Sequence, residues 1–358
     1  MKKRGHININ LLGLTMLAAV LATAATAFAV DFTISGQLNR AALYADDGTT
    51  AKWFFVDNAN SSTRFRFRGS NEFDKGWKVG FLWEVEMKSN ASSRVSMDDE
   101  SDLGDVTFEE RHIDIWVEKW GTLRLGQGDT ASNGTAEVDL SGTAVAAYSA
   151  VSDVGGNFEF RDGNDKTGIT VGESRSNFDG LSRKDRVRYD TPRWAGFFAS
   201  ASIEGNSMWD LAVRYAGDFG RARFAAAAGW ADFGTSSDSR DGTRDWELSS
   251  SAAVLFDFGL NFSVAYGKVD QDATDPWNLF GKVGYQFLQK HAASVQYSRT
   301  KNLSGSGDIG NSLAVAYVFT PWKSVEFYGS YFLHMLDLDQ GNDPDDISMF
   351  MAGARVKF

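Results

Sequence analysis

Arg64, Arg66 and Arg68 sit two residues apart, with Phe65 and Phe67 between them. In an extended chain a period of two puts the three guanidinium groups on one face and the two rings on the other. Same-face neighbours lie about 6.5–7 Å apart, so the three cations form a ladder. An arginine facing lipid costs about 2–4 kcal/mol at the midplane, so the charged face needs water. A second concentration of charge lies further along. Asp129–Ser182 carries nine carboxylates, among them Asp129, Glu137 and Asp139, against only Arg161, Lys166 and Arg175. Catalysis would need a nucleophile beside a base. His112, His291 and His334 stand in no such motif and read as ordinary water-facing or rim residues. Asp98, Asp99 and Glu100, with Asp337, Asp339, Asp343, Asp345 and Asp346, could face a divalent cation. They lack ligand spacing and read as solvated carboxylates. No metal, cofactor or enzymatic activity is expected.

The elements that must position these residues alternate along the whole chain. In Ile347–Phe358, Phe350, Ala352, Ala354, Val356 and Phe358 share one face, and Arg355 and Lys357 the other. A two-faced terminal strand leaves an edge to cover, and a closed barrel has none. Similar runs begin at Asp31–Tyr44, Ser62–Gly69, Trp77–Met87, His112–Lys119 and Thr122–Gln127, and continue from Arg186–Asp190 to Val325–Leu333. They amount to about sixteen strands, an even number of the kind that single-chain membrane barrels use. Pro192, Pro276, Pro321 and Pro344 all fall in gaps between runs, where a missing N–H does no harm. Short connectors such as Trp120-Gly121 and Asp257–Gly259 alternate with long ones such as Ala45–Asn60, Ser89–Asp105 and Asp129–Ser182. Short turns belong on the periplasmic side, and even parity places both termini there. A barrel of this size holds an aqueous channel.

The remaining composition agrees. Lys2, Lys3 and Arg4, the apolar stretch Leu11–Leu21 and Ala27-Phe28-Ala29 make a secretory signal peptide over residues 1–29, ahead of a barrel domain over 30–358. Its apolar core is shorter than the about 20 residues of a spanning helix. There is no Cys, so the fold rests on its ladder and on contacts between subunits. The net charge is −11, and removing Lys2, Lys3 and Arg4 makes it −14, which excludes nucleic acid as a partner.

Three segments and the tail resemble the Gram-negative general porins. Ser62–Val79, read S-T-R-F-R-F-R-G-S-N-E-F-D-K-G-W-K-V, is similar to their second strand, first turn and third strand. Trp120–Gln127 is similar to their F-G-x-x-x-L-G-R segment, and Arg188–Pro192 to their R-Y-x-S-P. Arg66 replaces a usual Gly, and Gln127 a usual Arg. The resemblance implies an all-β, 16-stranded transmembrane antiparallel barrel whose third long loop, Asp129–Ser182, folds inward. It implies a constriction with Arg64, Arg66, Arg68 and Arg124 on a basic wall and Asp129, Glu137 and Asp139 on an acidic loop. It also implies that Phe358 is read during assembly, and that the partners are a homotrimer, outer-membrane lipid, lipopolysaccharide and small hydrophilic solutes.

The expected function is therefore a general diffusion porin. A substrate-specific channel of the same architecture, for sugar, phosphate or organic acid, is the alternative; a barrel enzyme is the weaker third. The chain's acidity suggests a weak cation preference. Mass spectrometry of the mature protein should show an N-terminus at Val30 or Asp31, with a β-type circular dichroism spectrum. A retained Met1 or a helical spectrum would contradict this reading.

Overall fold

A chain that alternates apolar and polar residues can place one face in lipid and the other in water only if every backbone group finds a partner and the sheet closes. The computed structural model describes residues 30–100, 107–234, 244–271 and 274–358. The expected signal peptide lies outside the described residues, as does much of the connector before Arg244. The first strands are β1 (Asp31–Asp46), β2 (Ala51–Asp57), β3 (Arg64–Phe73), β4 (Trp77–Lys88), β5 (Thr107–Glu118) and β6 (Thr122–Asp129). A hairpin of β7 (Glu159–Asp162) and β8 (Asp165–Thr170) follows. Next come β9 (Arg183–Asp190), β10 (Phe197–Glu204), β11 (Trp209–Asp218), β12 (Ala222–Asp232), β13 (Arg244–Phe256) and β14 (Leu260–Gln271). The last are β15 (Trp277–Phe287), β16 (His291–Lys301), β17 (Ile309–Trp322), β18 (Val325–Asp337) and β19 (Ile347–Lys357).

All but the hairpin form one 17-stranded antiparallel sheet. Strands β2 and β3 pair with successive halves of β1 and so fill one position between them, which leaves sixteen staves. The sheet closes where β1 meets β19, from Gln37 opposite Lys357 to Asp46 opposite Ser348. No helix among the described residues is long and apolar enough to cross a membrane; strands do the crossing.

The outer face is apolar. Val213, Val264, Leu279 and Val315 are among its exposed aliphatics. Aromatic residues gather near both ends: Trp194, Phe219, Phe258 and Trp322 at the short turns, and Tyr44–Trp53 and the stacked Trp230–Trp246 pair toward the long loops. That is the band-and-girdle pattern of a membrane barrel.

Three expectations need correction. Ala45–Asn60 is not a long loop. Asp47–Thr50 is a tight turn, with Asp47 Oδ1 accepting from Thr49 N at 3.1 Å and Thr50 N at 2.7 Å and Gly48 at φ 86°. Strand β2 follows it. Its alternation is hidden because Trp53 and Phe55 face out while Phe54 and Val56 also face apolar surroundings. The inner face is likewise not polar throughout. Leu43, Phe54, Phe332, Met349 and Met351 form a buried apolar sector inside the barrel. Pro321 lies inside β17, at its end, where the ladder to β18 shifts register between Phe319 and Trp322. A missing N–H is tolerated at such an irregularity.

The closing seam depends on the chain end. Phe358 N donates to Gly36 O at 3.1 Å and Gly36 N to Phe358 O at 2.9 Å. The Phe358 ring packs over Gly36, where a Cβ would come within 2.6 Å of it. Phe358→Ala and Gly36→Val should both lower the amount of heat-modifiable barrel in the membrane, while surviving channels keep their conductance. Normal abundance with altered conductance would contradict this.

Candidate functional site

The segment Thr130–Ser182 lies inside the barrel, and the inner wall is built to receive it. Small residues line β12–β14: Ala227, Gly229, Ser249, Ser251, Ala253 and Gly267. A Cβ on Gly229 would sit 2.8 Å from Thr135 Oγ1, and one on Gly267 2.7 Å from Phe178 Cβ, so glycine permits the approach at both places. Buried Asp210 on β11 accepts from Ala131 N at 3.1 Å and Ser132 N at 2.6 Å. Ser251 Oγ donates to Thr135 O at 2.6 Å, and Thr143 Oγ1 meets Ser294 Oγ at 2.7 Å. Arg175, fully buried, donates to Asn311 O at 3.1 Å and Met335 O at 2.8 Å, bridging the loop to β17 and β18. Phe158 packs edge-on against Phe54 at 5.4 Å within the apolar sector. Burial of such groups holds one side of the loop, and hydrogen bonds hold the other.

The opposite wall, from β3 to β9, carries charge. Glu84 and Glu86 on β4 are almost wholly buried, at 1% and 2% exposure. Arg64 reaches Glu84 at 3.6 Å and Glu86 at 3.7 Å. Arg111 reaches Glu84 at 3.2 Å and also contacts Glu86, and Lys88 lies 2.9 Å from Glu86. Arg66 pairs with Glu84. Asp129 lies 2.9 Å from Arg183 and 3.3 Å from His112.

A polar cavity of about 510 Å³ separates loop from wall. Arg64, Lys88, Arg111 and Arg183 line one side; Glu137, Tyr148, Asp153 and Asp179 line the other. Each loop carboxylate is held. Asp179 accepts from Gly134 N at 2.6 Å and Ala136 N at 2.9 Å. Glu137 accepts from Asn177 at 3.1 Å, and Tyr148 Oη donates to Asp153 at 2.5 Å. Burial pushes Asp153 up to about 7. Burial also raises Glu137 and, with Glu137 beside it, lifts Asp179 well above the usual carboxylate range. The loop side therefore carries less negative charge near neutrality than its residue count suggests.

Of the residues singled out from sequence, Arg64 and Glu137 face each other across this cavity. Arg66 and Arg68 continue the same face toward the short turns. Arg124 lies there too, 3.6 Å from Asp114 and 3.5 Å from Asp190. Asp129 sits among the cations of the wall, because it ends β6 and is not part of the loop proper. Asp139 is turned away from the cavity, to Lys282 at 2.7 Å. His112 belongs to the wall, His334 is buried beside Ser312 at 2.8 Å, and His291 stacks on Phe319 at 4.8 Å. Asp98 and Glu100 pair with Lys166 and Lys52. Sequence reasoning passed over Lys88, Arg111 and Arg183. Arg111 occupies the register shift opposite Glu84 and Val85, where alternation breaks.

A loop seated inside a sixteen-stave wall leaves a charged cavity between the two. A family model for Gram-negative porins matches residues 13–334. The chain belongs to the Gram-negative porins. Among solved structures, the anion-selective porin from Comamonas acidovorans is similar at TM-score 0.64 and 16% identity, over 92% of this chain and 100% of that one. A loop L8 deletion mutant of OmpT, an outer membrane protein of Vibrio cholerae, is similar at TM-score 0.60 and 13% identity, over 92% and 100%. The outer membrane channel DcaP of Acinetobacter baumannii follows at TM-score 0.58 and 14% identity, over 92% and 97%. At these identities the likeness is one of fold. No curated protein matches the chain. This porin is an outer-membrane β-barrel diffusion channel, and its family and fold point to a channel rather than an enzyme.

The loop's seating makes a prediction. Lys282 Nζ is buried and also donates to Ala147 O at 2.7 Å. Lys282→Met leaves Asp139 buried without its partner, which costs about 3–5 kcal/mol. Single channels of that variant should be larger and noisier, and Lys282→Met with Asp139→Leu should restore quiet openings. Wild-type openings in the single variant would show that the pair does not hold the loop.

Proposed function

We propose that this porin is a homotrimeric general-diffusion channel, with both termini in the periplasm, whose constriction favours small anions. The carrying observation is the cavity itself. Arg64, Lys88, Arg111 and Arg183 outnumber Glu84, Glu86 and Asp129, with which they pair, while burial raises the proton affinity of the facing Glu137, Asp153 and Asp179. A narrow passage concentrates the ion opposite in sign to its net local charge. This departs from the weak cation preference that the net charge suggests. Many of the chain's acids, such as Asp46, Asp339 and Asp345, lie at the long-loop mouth, more than a Debye length of about 8 Å from the constriction along the strands.

The trimer is supported by the outer face near the seam. Arg40 faces outward on β1 at 48% exposure, four residues to the membrane side of the Tyr44–Trp53 pair, and donates to Ser89 O at 2.8 Å. An arginine in lipid at that depth is costly, and a neighbouring copy would cover it. Toward the short turns on the same outer face, Phe32, Phe65, Phe67 and Trp83 form a continuous ring cluster, with neighbouring centroids 5.4–6.2 Å apart. The rest of the outer face, including the rims, meets lipid and lipopolysaccharide. The short turns and the paired termini lie at one end, which is the periplasmic end in this reading.

The test is the reversal potential across a bilayer in a KCl gradient. Asp153 gains its proton as pH falls through about 7, removing negative charge from the constriction. Anion preference should be present at neutral pH and rise between pH 8 and about 6. A cation-selective channel at pH 6, or a potential that does not move with pH, would contradict the proposal.

A further inference from the structure

We propose that Arg68 and Arg124, set against Trp116 on the lumenal wall, form a second station, on the short-turn side of the constriction, that binds the oxyanion groups of solutes: carboxylates or phosphates. The proposal rests on the anion-favouring reading of the channel and names the solute class that it would pass.

Trp116 belongs to the inner face, since its neighbours Ile115 and Val117 face outward. It is a large ring on a wall that must stay open, and it fits because Gly80, its cross-strand partner, has no side chain. A Cβ on Gly80 would be 2.3 Å from Trp116 Cζ2. The ring is 5% exposed, so its face is not free for a solute. What it does is support the Arg68 guanidinium, with Arg124 beside it across the strand pair. Arg68 Cζ sits 5.8 Å from the ring centroid, and Arg124 is the direct cross-strand partner of Trp116 on β6. A guanidinium stacked on an aromatic face keeps its in-plane N–H fork free, and that fork matches a carboxylate or phosphate.

Charge balance points the same way. Arg64 and Arg66 are taken up by Glu84 and Glu86. Arg68 is exposed to the channel, and its one contact among the described residues is Trp116. Arg124 shares Asp114 with Arg186, which is closer at 2.8 Å, and shares Asp190 with Arg188, also at 2.8 Å. Its own contacts to the two acids are the longer ones, 3.6 and 3.5 Å. Among the described residues the ion pairs of Arg124, Arg186 and Arg188 go to Asp114 and Asp190 alone, Arg68 has none, and Glu118 on the same face lies opposite Lys78 and Thr122, so the excess positive charge sits on Arg68 and Arg124, beside Trp116. Along β3 the station lies four residues from Arg64, about 13 Å toward the short turns. An anion leaving the constriction would meet it next.

The test uses the whole purified porin in planar bilayers, which proves folding by the channels themselves. Sodium succinate, and separately sodium phosphate, is added to constant KCl, and the half-blocking concentration is read against chloride of matched ionic strength. The wild type should be blocked by one or both oxyanions; succinate alone would narrow the class to carboxylates, and phosphate alone to phosphates. Arg68→Gln should raise the half-blocking concentration about tenfold, a loss of about 1.4 kcal/mol. Trp116→Leu should raise it comparably while leaving the KCl reversal potential in place, because it removes the support and not a charge. Trp116→Phe and Arg68→Lys cover variants that fail to insert: the first should keep block near wild type, and the second should lose it with the fork. No block of the wild type, or full block in Trp116→Leu or Arg68→Lys, would overturn the station. A cation-selective wild type would instead overturn the anion-favouring reading on which it rests.

Discussion

Every backbone N–H and C=O that crosses hydrocarbon needs a partner within the protein, and this single requirement forces the sheet to close on itself. The seam of β1 against β19, extended by the exchange between Gly36 and Phe358, is where the requirement is met last. Closure then sorts every alternating residue into lipid or lumen. Arg64, Arg66 and Arg68 can share a strand with Phe65 and Phe67 only because the two sets meet different solvents. A wall of sixteen staves leaves more space than side chains fill, and the inward loop takes up much of it.

The loop's position is an agreement between two unlike surfaces. Toward β1, β2 and β17–β19 it buries Phe158 and Phe160 against Leu43, Phe54 and Met349, as an ordinary core would. Toward β11–β16 it trades hydrogen bonds with serines and threonines over a wall kept low by Ala and Gly, with Lys282 and Asp139 buried among them. What remains open is the strip facing β3–β9, where neither kind of packing is possible because the wall is charged. In the proposed reading this open strip, beyond the bond from Arg188 to Thr130 O at the loop's root, is the constriction. Burial of the loop also raises the proton affinity of Glu137, Asp153 and Asp179, so the packing that shapes the passage sets its charge as well.

Much of this architecture was legible in the chain. Alternation located all sixteen staves, although it saw only the β3 half of the one shared with β2, and Asp129–Ser182 stood out by length and composition. The gaps have physical causes. Strand β2 hides because Phe54, which faces the lumen, is as apolar as Phe55, which faces outward; a period of two is invisible when both sides are dry. Arg111 hides because a register shift moves it off the expected face. Asp139 carries the same charge as Glu137 two residues before it, yet it is bound to Lys282, 143 residues away, and nothing local distinguishes the two. Asp129 looked like a loop residue because the strand that ends on it is short. Residue type and period reveal the wall; which charges face each other across the water depends on pairings between distant strands.

The central claim is that selectivity resides in the few charges around the cavity between loop and wall, not in the charge of the whole chain. The most direct test is the variant Arg64→Gln with Arg111→Gln and Arg183→Gln, compared with wild type by reversal potential in a KCl gradient at pH 8, where more of Asp153 is ionised. The account predicts that the sign of the potential inverts, from anion- to cation-selective. A triple variant that keeps the wild-type anion preference would contradict it.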